Sequence, residues 1–593
     1  DILYDTKTRG GQTMNRAVNI GKAKTPPHFP LEAWRSRLAL TGILLGMTAL
    51  SLWAVKLQLL DNDFLQSKGD ARYSRLLEIP APRGKIYDRN GVVLASNIPA
   101  RAIWVIPEDV RMTAAQESKL ASLLGMSVAE IRKKVAQDDK RFVYLKRQVS
   151  QEVSDQIKAM KIAGVNSQKE VKRDYPQAEV FAHLTGFTNI EGQGQEGLEL
   201  VYDKDIQGQV GKRKVIRDRL GNVIEDQGVM QEARPGKDVY LSLDARVQYI
   251  VYTALRDAVK FHNAKSASAM VVDTRTGEIL ALENYPSYDP NKRSNMDIDA
   301  LRNRAVTDIF EPGSTLKPFT VALALEKGKI TPQSMIEAGN GQFQIGDALI
   351  SDSHANGSLT VQQVIQKSSN IGTSKISFML TPQEMWTMFD NVGFGRQYKV
   401  GFPGVSPGLL RPYKNWQKIE QATMSYGHGI AMSLLQLTHA YTVFARDGEL
   451  IDLTLIKKET PEAVAGTRVF SARTAQEMRT MMHMATEPGG TAPKAQVVGY
   501  TVAGKTGTAY KVEGNGYNKN KYVATFAGLA PVNQPRIVVT VMVDDPSANG
   551  HFGGVVAAPV FSQIVSETLR TLSVTPDAPY KTSINHTATE ESM

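Results

Sequence analysis

The 593-residue chain contains no cysteine. That absence excludes disulfides, thiolate-ligated zinc or iron-sulfur sites, and a thiol nucleophile. Histidine is also scarce, at 9 residues, and none falls in a metal-ligand spacing such as His-Glu-x-x-His. Those chemistries are excluded. Aromatic residues make up 7% and charged residues 22%, against 42% hydrophobic, a globular rather than a disordered balance. The length allows several domains at about 100 to 200 residues each.

The net charge of +10 carries little information about partners. Lys7, Arg9, Arg16, Lys22, Lys24, Arg35 and Arg37 outweigh Asp1, Asp5 and Glu32 by +4 within residues 1–37, which leaves +6 for the rest. So thin a spread argues against a nucleic-acid surface. Long apolar runs are rare too, but one is present: Leu38 to Val55, 18 residues without a charge. As a helix it spans about 27 Å, close to the hydrocarbon thickness of a bilayer, and Leu57, Leu59 and Leu60 extend it. No Ala-x-Ala cleavage site follows, so an uncleaved anchor is expected over 38–60. Basic residues precede it, which places residues 1–37 in the cytoplasm and the body outside. Gly42 and Gly46 form a Gly-x-x-x-Gly pair suited to a close helix contact. The chain opens on Asp1, leaving Met14 as a candidate natural start.

From 61 to 235 the chain is charged and Gly-punctuated. Short alternating runs at Gly91–Ala95 and Ala102–Ile106, with helical stretches at Ala114–Gln137 and Gln151–Met160, predict an extended β-containing module. After Arg234-Pro235-Gly236 the pattern tightens. Asp244 is placed to cap a helix over Ala245–His262, and strands are expected at Ser268–Val272 and Glu278–Leu282. Helical segments fill roughly 298–490, three strands follow near 500–511, 521–529 and 536–543, and a helix near Pro559–Leu572 closes the domain. Two strands from one end and three from the other, with helices between, predict an α+β layered domain over 236–575. Residues 576–593 read as a flexible polar tail.

Three clusters are candidates for chemistry. In Phe310-Glu311-Pro312-Gly313-Ser314-Thr315-Leu316-Lys317-Pro318 a turn places Ser314 at a helix start. Lys317, three residues on, shares its face. A lysine that is desolvated, or flanked by another cation, can lose its proton and serve as base toward the hydroxyl. Helix-start N–H groups can meet a developing oxyanion. Taken alone, a Ser-x-x-Lys is usually an exposed helix start, Ser368-Ser369-Asn370 a polar interhelix turn, and Lys505-Thr506-Gly507-Thr508 a strand offering a cation and hydroxyls to a carboxylate. Gly499 to Thr506 also fits the P-loop expression Gly-x-x-x-x-Gly-Lys-Thr. Its inner residues are strand formers and Gly507 interrupts the helix a P-loop needs, so nucleotide hydrolysis is not expected.

Together and in this order, Ser-x-x-Lys, Ser-x-Asn and Lys-Thr-Gly resemble the motif set of penicillin-binding proteins and class A β-lactamases. The stretches Phe310–Pro318, Gly504–Ala509 and Tyr522–Pro531 are most similar to class B penicillin-binding proteins of the cell-division (FtsI-type) D,D-transpeptidase kind. Arg83 to Gly91, Arg173-x-Tyr175-Pro176 and Gly194 to Glu199 resemble that family's non-catalytic pedestal, or dimerisation-type, domain. The resemblance implies a penicillin-recognising serine transferase fold, an antiparallel sheet with helices on both faces, after the pedestal and one transmembrane helix. It implies Ser314 as the nucleophile toward D-Ala-D-Ala stem peptides, Lys317 as base and Ser368 as proton relay. Asn370 would bind the substrate amide and help hold Lys317. Lys505, Thr506 and Thr508, with Gly507 in the same strand, would bind the terminal carboxylate, and the Ser314 and Thr508 N–H groups would form the oxyanion hole. β-Lactams would acylate Ser314. The resemblance also implies no metal or organic cofactor.

Implied partners are a division-type (FtsW-like) lipid II polymerase and other divisome membrane proteins, at the bacterial inner membrane with the catalytic domain periplasmic. One departure stands out. After Ser425-Tyr426-Gly427-His428-Gly429 the chain has Ser433-Leu434-Leu435-Gln436 where the family often shows Thr-Pro-Leu-Gln, which bears on that cleft wall. Alternatives left open are an elongation-type transpeptidase, a D,D-carboxypeptidase or β-lactamase-like hydrolase, and a non-catalytic division scaffold or β-lactam sensor.

Overall fold

The computed structural model describes residues 32–57, 74–137, 142–217, 223–294, 297–460, 462–514 and 516–580. The chain forms two compact units, one of residues 1–78 with 212–230, the other of 79–211 with 231–593. The expected pedestal segment 61–235 contributes to both.

In the first unit Ala33–Val55 is one helix with no buried residue. Among the described residues it alone is long and apolar enough to cross a membrane. It starts earlier than the uncharged run because Arg35 and Arg37 are good helix formers and extend the helix beyond the apolar stretch. Residues 1–31 of the expected tail, residues 58–60 of the expected anchor and residues 581–593 of the expected C-terminal tail lie outside the described residues. The same unit holds a three-stranded sheet of Ser74–Ile79, Gly211–Arg217 and Val223–Gln231, with Gly211–Arg217 in the middle.

In the second unit the two runs expected at 91–95 and 102–106 belong to a single strand, Val93–Val105, paired antiparallel with Val143–Val149 and Val165–Asp174. The single helical stretch expected at 114–137 is two helices, Ala114–Leu124 and Val128–Val135. Gly125 takes φ +59 and ends the first, and Ser127 caps the second in a reciprocal box with Glu130. Buried Glu199 accepts from Arg83 Nε at 2.7 Å and Arg173 Nε at 2.6 Å, and Arg83 also reaches Asp203. Burying a carboxylate is tolerable here because cations meet both its oxygens. Asp88, nearby in sequence, accepts the backbone N–H of Ala245 at 3.0 Å, the first residue of helix Ala245–His262. Asp244 caps that helix through the Arg246 N–H, as its position predicts.

The large sheet is antiparallel throughout, in the order Ile279–Tyr285, Ser266–Asp273, Ile537–Asp544, Gly516–Ala530, Ala503–Glu513. The hairpin at the start of the 236–575 segment thus meets the meander near its end at the Ser266–Asp273 and Ile537–Asp544 pair. Every residue of Ser266–Asp273 is buried, because both faces of the sheet are covered. Helices Ala245–His262 and Ala558–Thr571 share one core with the strands, through Val251, Leu255, Phe561 and Ile564. Helix Leu434–Ala445 lies on the opposite face, where the Thr438 and Thr540 hydroxyls meet at 2.6 Å. The α+β architecture with helices on both faces matches the expectation.

His439 on that buried helix packs against Tyr398, and desolvation lowers its pKa from 6.5 to about 4. A depressed folded-state value means the unfolded chain binds the proton more readily. The stability it contributes is complete above pH 6.5 and is lost as pH falls toward 4. Thermal unfolding midpoints should fall over that window, and His439→Phe should flatten the slope. An unchanged slope in the variant would contradict this.

Candidate active site

Ser314 lies in a 3-10 turn, Gly313–Leu316, that runs directly into the α-helix Lys317–Glu326. The sequence places Ser314 in the first turn of a helix. The finer result is that the tighter turn carries the serine while Lys317 opens the α-helix. Pro318 fits there because early helix N–H groups have no intrahelical partner. Across the three-residue step Lys317 Nζ lies 2.8 Å from Ser314 Oγ, with Lys317 fully buried and Ser314 3% exposed.

Ser368 occupies the turn between helices Val361–Gln366 and Asn370–Ser377. Its φ of +61 is a left-handed conformation that costs a serine roughly 1 kcal/mol or more. Ser368 thereby offers both its oxygens to one amine: Lys317 Nζ donates to its carbonyl at 2.6 Å and to its hydroxyl at 3.0 Å. The same hydroxyl accepts from Lys505 Nζ at 2.9 Å. Lys505 sits inside strand Ala503–Glu513, fully buried, and also reaches the Thr506 hydroxyl at 3.2 Å. Thr506 in turn contacts the Thr491 hydroxyl at 3.1 Å. Because the strand runs unbroken through Lys505, no helix begins there, and the P-loop reading fails on structure as well as on pattern.

Gly507 has a steric purpose. A Cβ there would lie 2.6 Å from the Pro312 carbonyl and 2.3 Å from Thr525 Oγ1, so only glycine lets the serine turn close onto the strand. Gly427 serves the other side, where a Cβ would come within 2.1 Å of the Gly313 carbonyl oxygen. A Cβ on Gly313 would stand 3.4 Å from the Thr508 N, so the backbones of the serine turn and Thr508 are neighbours. The Thr508 hydroxyl accepts the Gly553 N–H at 2.9 Å.

Ser314, Lys317, Ser368 and Lys505 therefore converge, with Thr506 beside Lys505. Asn370 adjoins them as the first residue of its helix, its amide donating to the Ser351 carbonyl at 3.2 Å. Sequence reasoning missed Asp352. Its carboxylate accepts the Ser369 hydroxyl at 2.5 Å and the Ile371 N–H at 3.0 Å, pinning the turn that presents Ser368. No spacing signal marks it, since Asp352 comes from a different loop. The Tyr426 ring centre, to which the sequence motifs assign no role, lies 6.0 Å from Lys317 Nζ. Burial raises its hydroxyl pKa well above the ordinary range. Tyr441 supports the serine turn by donating to the Thr315 carbonyl at 2.6 Å. Ser433, at the departure noted above, caps helix Leu434–Ala445 in a reciprocal box with Gln436 and is fully buried. Among the described residues no group of His, Asp or Glu could hold a metal ion.

This constellation offers a hydroxyl next to an amine, a second hydroxyl bridging two amines, and backbone N–H groups nearby. It is equipped for nucleophilic acyl transfer. Comparison with known proteins bears on the same residues. Residues 267–566 match the penicillin binding protein transpeptidase domain, and residues 78–241 match the penicillin-binding protein dimerisation domain. The probable peptidoglycan D,D-transpeptidase PenA of Neisseria gonorrhoeae is 44% identical over 528 residues, covering 88% of this chain and 90% of the relative. The peptidoglycan D,D-transpeptidase FtsI of Escherichia coli K12 is 38% identical over 572 residues, covering 95% and 96%. Among solved structures, the apo transpeptidase domain of penicillin-binding protein 3 from Burkholderia pseudomallei shares 52% identity at a TM-score of 0.53, covering 57% of this chain and 98% of that one. The match reaches across both the serine domain and the segment before it, so the chain belongs to the penicillin-binding protein transpeptidase family and carries a dimerisation domain ahead of the transpeptidase domain.

Proposed function

We propose that the protein is a peptidoglycan D,D-transpeptidase that cross-links stem peptides during septal cell-wall synthesis and is acylated by β-lactams. The observation that carries this reading is the 2.8 Å contact between Ser314 Oγ and Lys317 Nζ, with Ser368 shared between Lys317 and Lys505.

Ser314 Oγ passes its proton to Lys317 and attacks the carbonyl between the two D-Ala residues. The backbone N–H groups of Ser314 and Thr508 receive the oxyanion. Lys505, with the Thr506 and Thr508 hydroxyls, binds the terminal carboxylate, and Gly507 keeps the strand close enough for it to do so. Asn370 orients the peptide amide. The proton travels from Lys317 through the Ser368 hydroxyl to the leaving D-Ala nitrogen, the C–N bond breaks, and an acyl-Ser314 ester remains. An amine from a second stem then displaces Ser314 Oγ. A β-lactam enters the first half of this sequence and stops at the ester.

The helix Ala33–Val55 supports a single-pass anchor in the inner membrane. With the basic segment before it, the N-terminus is cytoplasmic and the transpeptidase domain, over about 236–575, periplasmic. The anchor and the dimerisation region suit contacts with a lipid II polymerase (FtsW-like) and other division membrane proteins.

Labelled penicillin should attach to the wild-type protein and not to Ser314→Ala. Full labelling of a folded Ser314→Ala variant would remove the assignment. Ser368→Ala deletes the hydroxyl shared by both amines and should slow acylation by about 10² or more, the scale of a lost proton relay. Stopped-flow acylation at the wild-type rate would show that the bridge has no catalytic part.

A further inference from the structure

We propose that Tyr426 is a positioning residue for the acylation step: the face of its ring stabilises the positive charge that Lys317 acquires when Ser314 gives up its proton. This rests on the acyl-enzyme reading above and adds to it a group that offsets a charge created in the buried cleft.

The step makes a cation in an unfavourable place. Lys317 is fully buried, so the ammonium it becomes has left water. Across the Ser368 hydroxyl stands a second amine: Lys505 Nζ lies 2.9 Å and Lys317 Nζ 3.0 Å from that one oxygen. The two nitrogens are no farther apart than these distances together allow, and charge on Lys505 repels charge arriving on Lys317. The ring answers this repulsion. Lys317 Nζ lies over the Tyr426 ring, 6.0 Å from its centre. An aromatic face carries the negative part of the ring quadrupole and attracts a cation at about this distance, more strongly where water is excluded. Tyr426 is 7% exposed. Burial also holds its hydroxyl pKa above the ordinary range, so the ring stays a neutral phenol.

The ring is fixed by the same element that carries both reacting groups. The Ser425 carbonyl accepts the Thr320 hydroxyl at 3.0 Å, from one turn along the helix that Lys317 opens. The Gly427 carbonyl accepts the Gly313 N–H at 3.2 Å, one residue before Ser314. Both chain neighbours of Tyr426 are thus bonded to the serine turn and its helix. On its other side the His428 ring meets Tyr426 edge to face, centres 5.3 Å apart, and His428 Nδ1 lies 3.3 Å from Glu311 Oε2. The separation of ring and amine is therefore set by contacts within one assembly.

The step balances without a co-reactant. The Ser314 O–H bond breaks, an N–H bond forms on Lys317, and Oγ bonds the carbonyl carbon. The ring takes no proton and forms no bond. Lys317 is neutral before the step and again once the proton has passed through Ser368, so the ring acts on the transient ammonium and lowers the barrier rather than tightening binding.

The test uses the full chain in detergent and stopped-flow acylation over a range of penicillin concentrations, which separates the limiting rate from the Kd of the non-covalent complex. Tyr426→Leu should lower the limiting rate about tenfold and leave Kd within about twofold. Tyr426→Phe keeps the ring face without the hydroxyl and should restore the rate. Replacing Tyr426 with phenylalanine carrying successively more ring fluorines weakens the quadrupole with little change of shape. The logarithm of the limiting rate should then fall in proportion to the fluorines added, a gradient that a merely structural ring does not produce. A limiting rate that stays level or rises along the series overturns the proposal, as does a loss confined to Kd. Should Tyr426→Leu fail to fold, the fluorinated series decides. Wild-type protein that takes no penicillin removes the acyl-enzyme reading itself, a result distinct from a level series.

Discussion

One hydroxyl, that of Ser368, accepts hydrogen bonds from two lysines that the chain delivers from opposite walls of the cleft. Two fully buried amines side by side are costly, because each has left water and each disfavours charge on the other. The arrangement persists because the polar atoms around them are supplied at hydrogen-bond distance. Ser368 gives Lys317 both a carbonyl and a hydroxyl, which requires the left-handed backbone at φ +61. Asp352 holds that strained turn through Ser369 and Ile371, so a carboxylate that contacts neither lysine in these hydrogen bonds sets where the shared hydroxyl stands.

The remainder of the domain brings the walls together. Gly507 and Gly427 remove the side chains that would keep the serine turn from the Lys505 strand and from the Tyr426 loop. The five-stranded sheet holds the strand rigid, since its pairing with Gly516–Ala530 runs from Ala503 to Glu513. Upstream, Asp88 binds the first N–H of helix Ala245–His262, and that helix packs under the sheet. The buried Glu199 cluster fixes the segment that carries Asp88. A continuous set of contacts thus joins the dimerisation region to the layer beneath the active site.

Much of this was legible in the residues because the signals were local. Helix Ala245–His262 follows from its apolar stripe and Asp244 cap, and the approach of Lys317 to Ser314 follows from helical spacing. What escaped was set by tertiary contact. The break at Gly125 divides a helix whose periodicity runs on through it. Gly507 interrupts the helix a P-loop needs, but its steric necessity, a Cβ there meeting Thr525 Oγ1 and the Pro312 carbonyl, comes from segments distant in sequence. Asp352 carries no spacing signal, because it reaches the Ser368 turn from a separate loop.

The central claim is that the serine whose oxygen lies beside Lys317 is the atom that carries the acyl group. Mass spectrometry of peptides from penicillin-treated protein locates that group directly. The account predicts a single added penicilloyl mass, on the peptide containing Ser314. An adduct on Ser368, on a lysine, or on no residue of this cleft would contradict it.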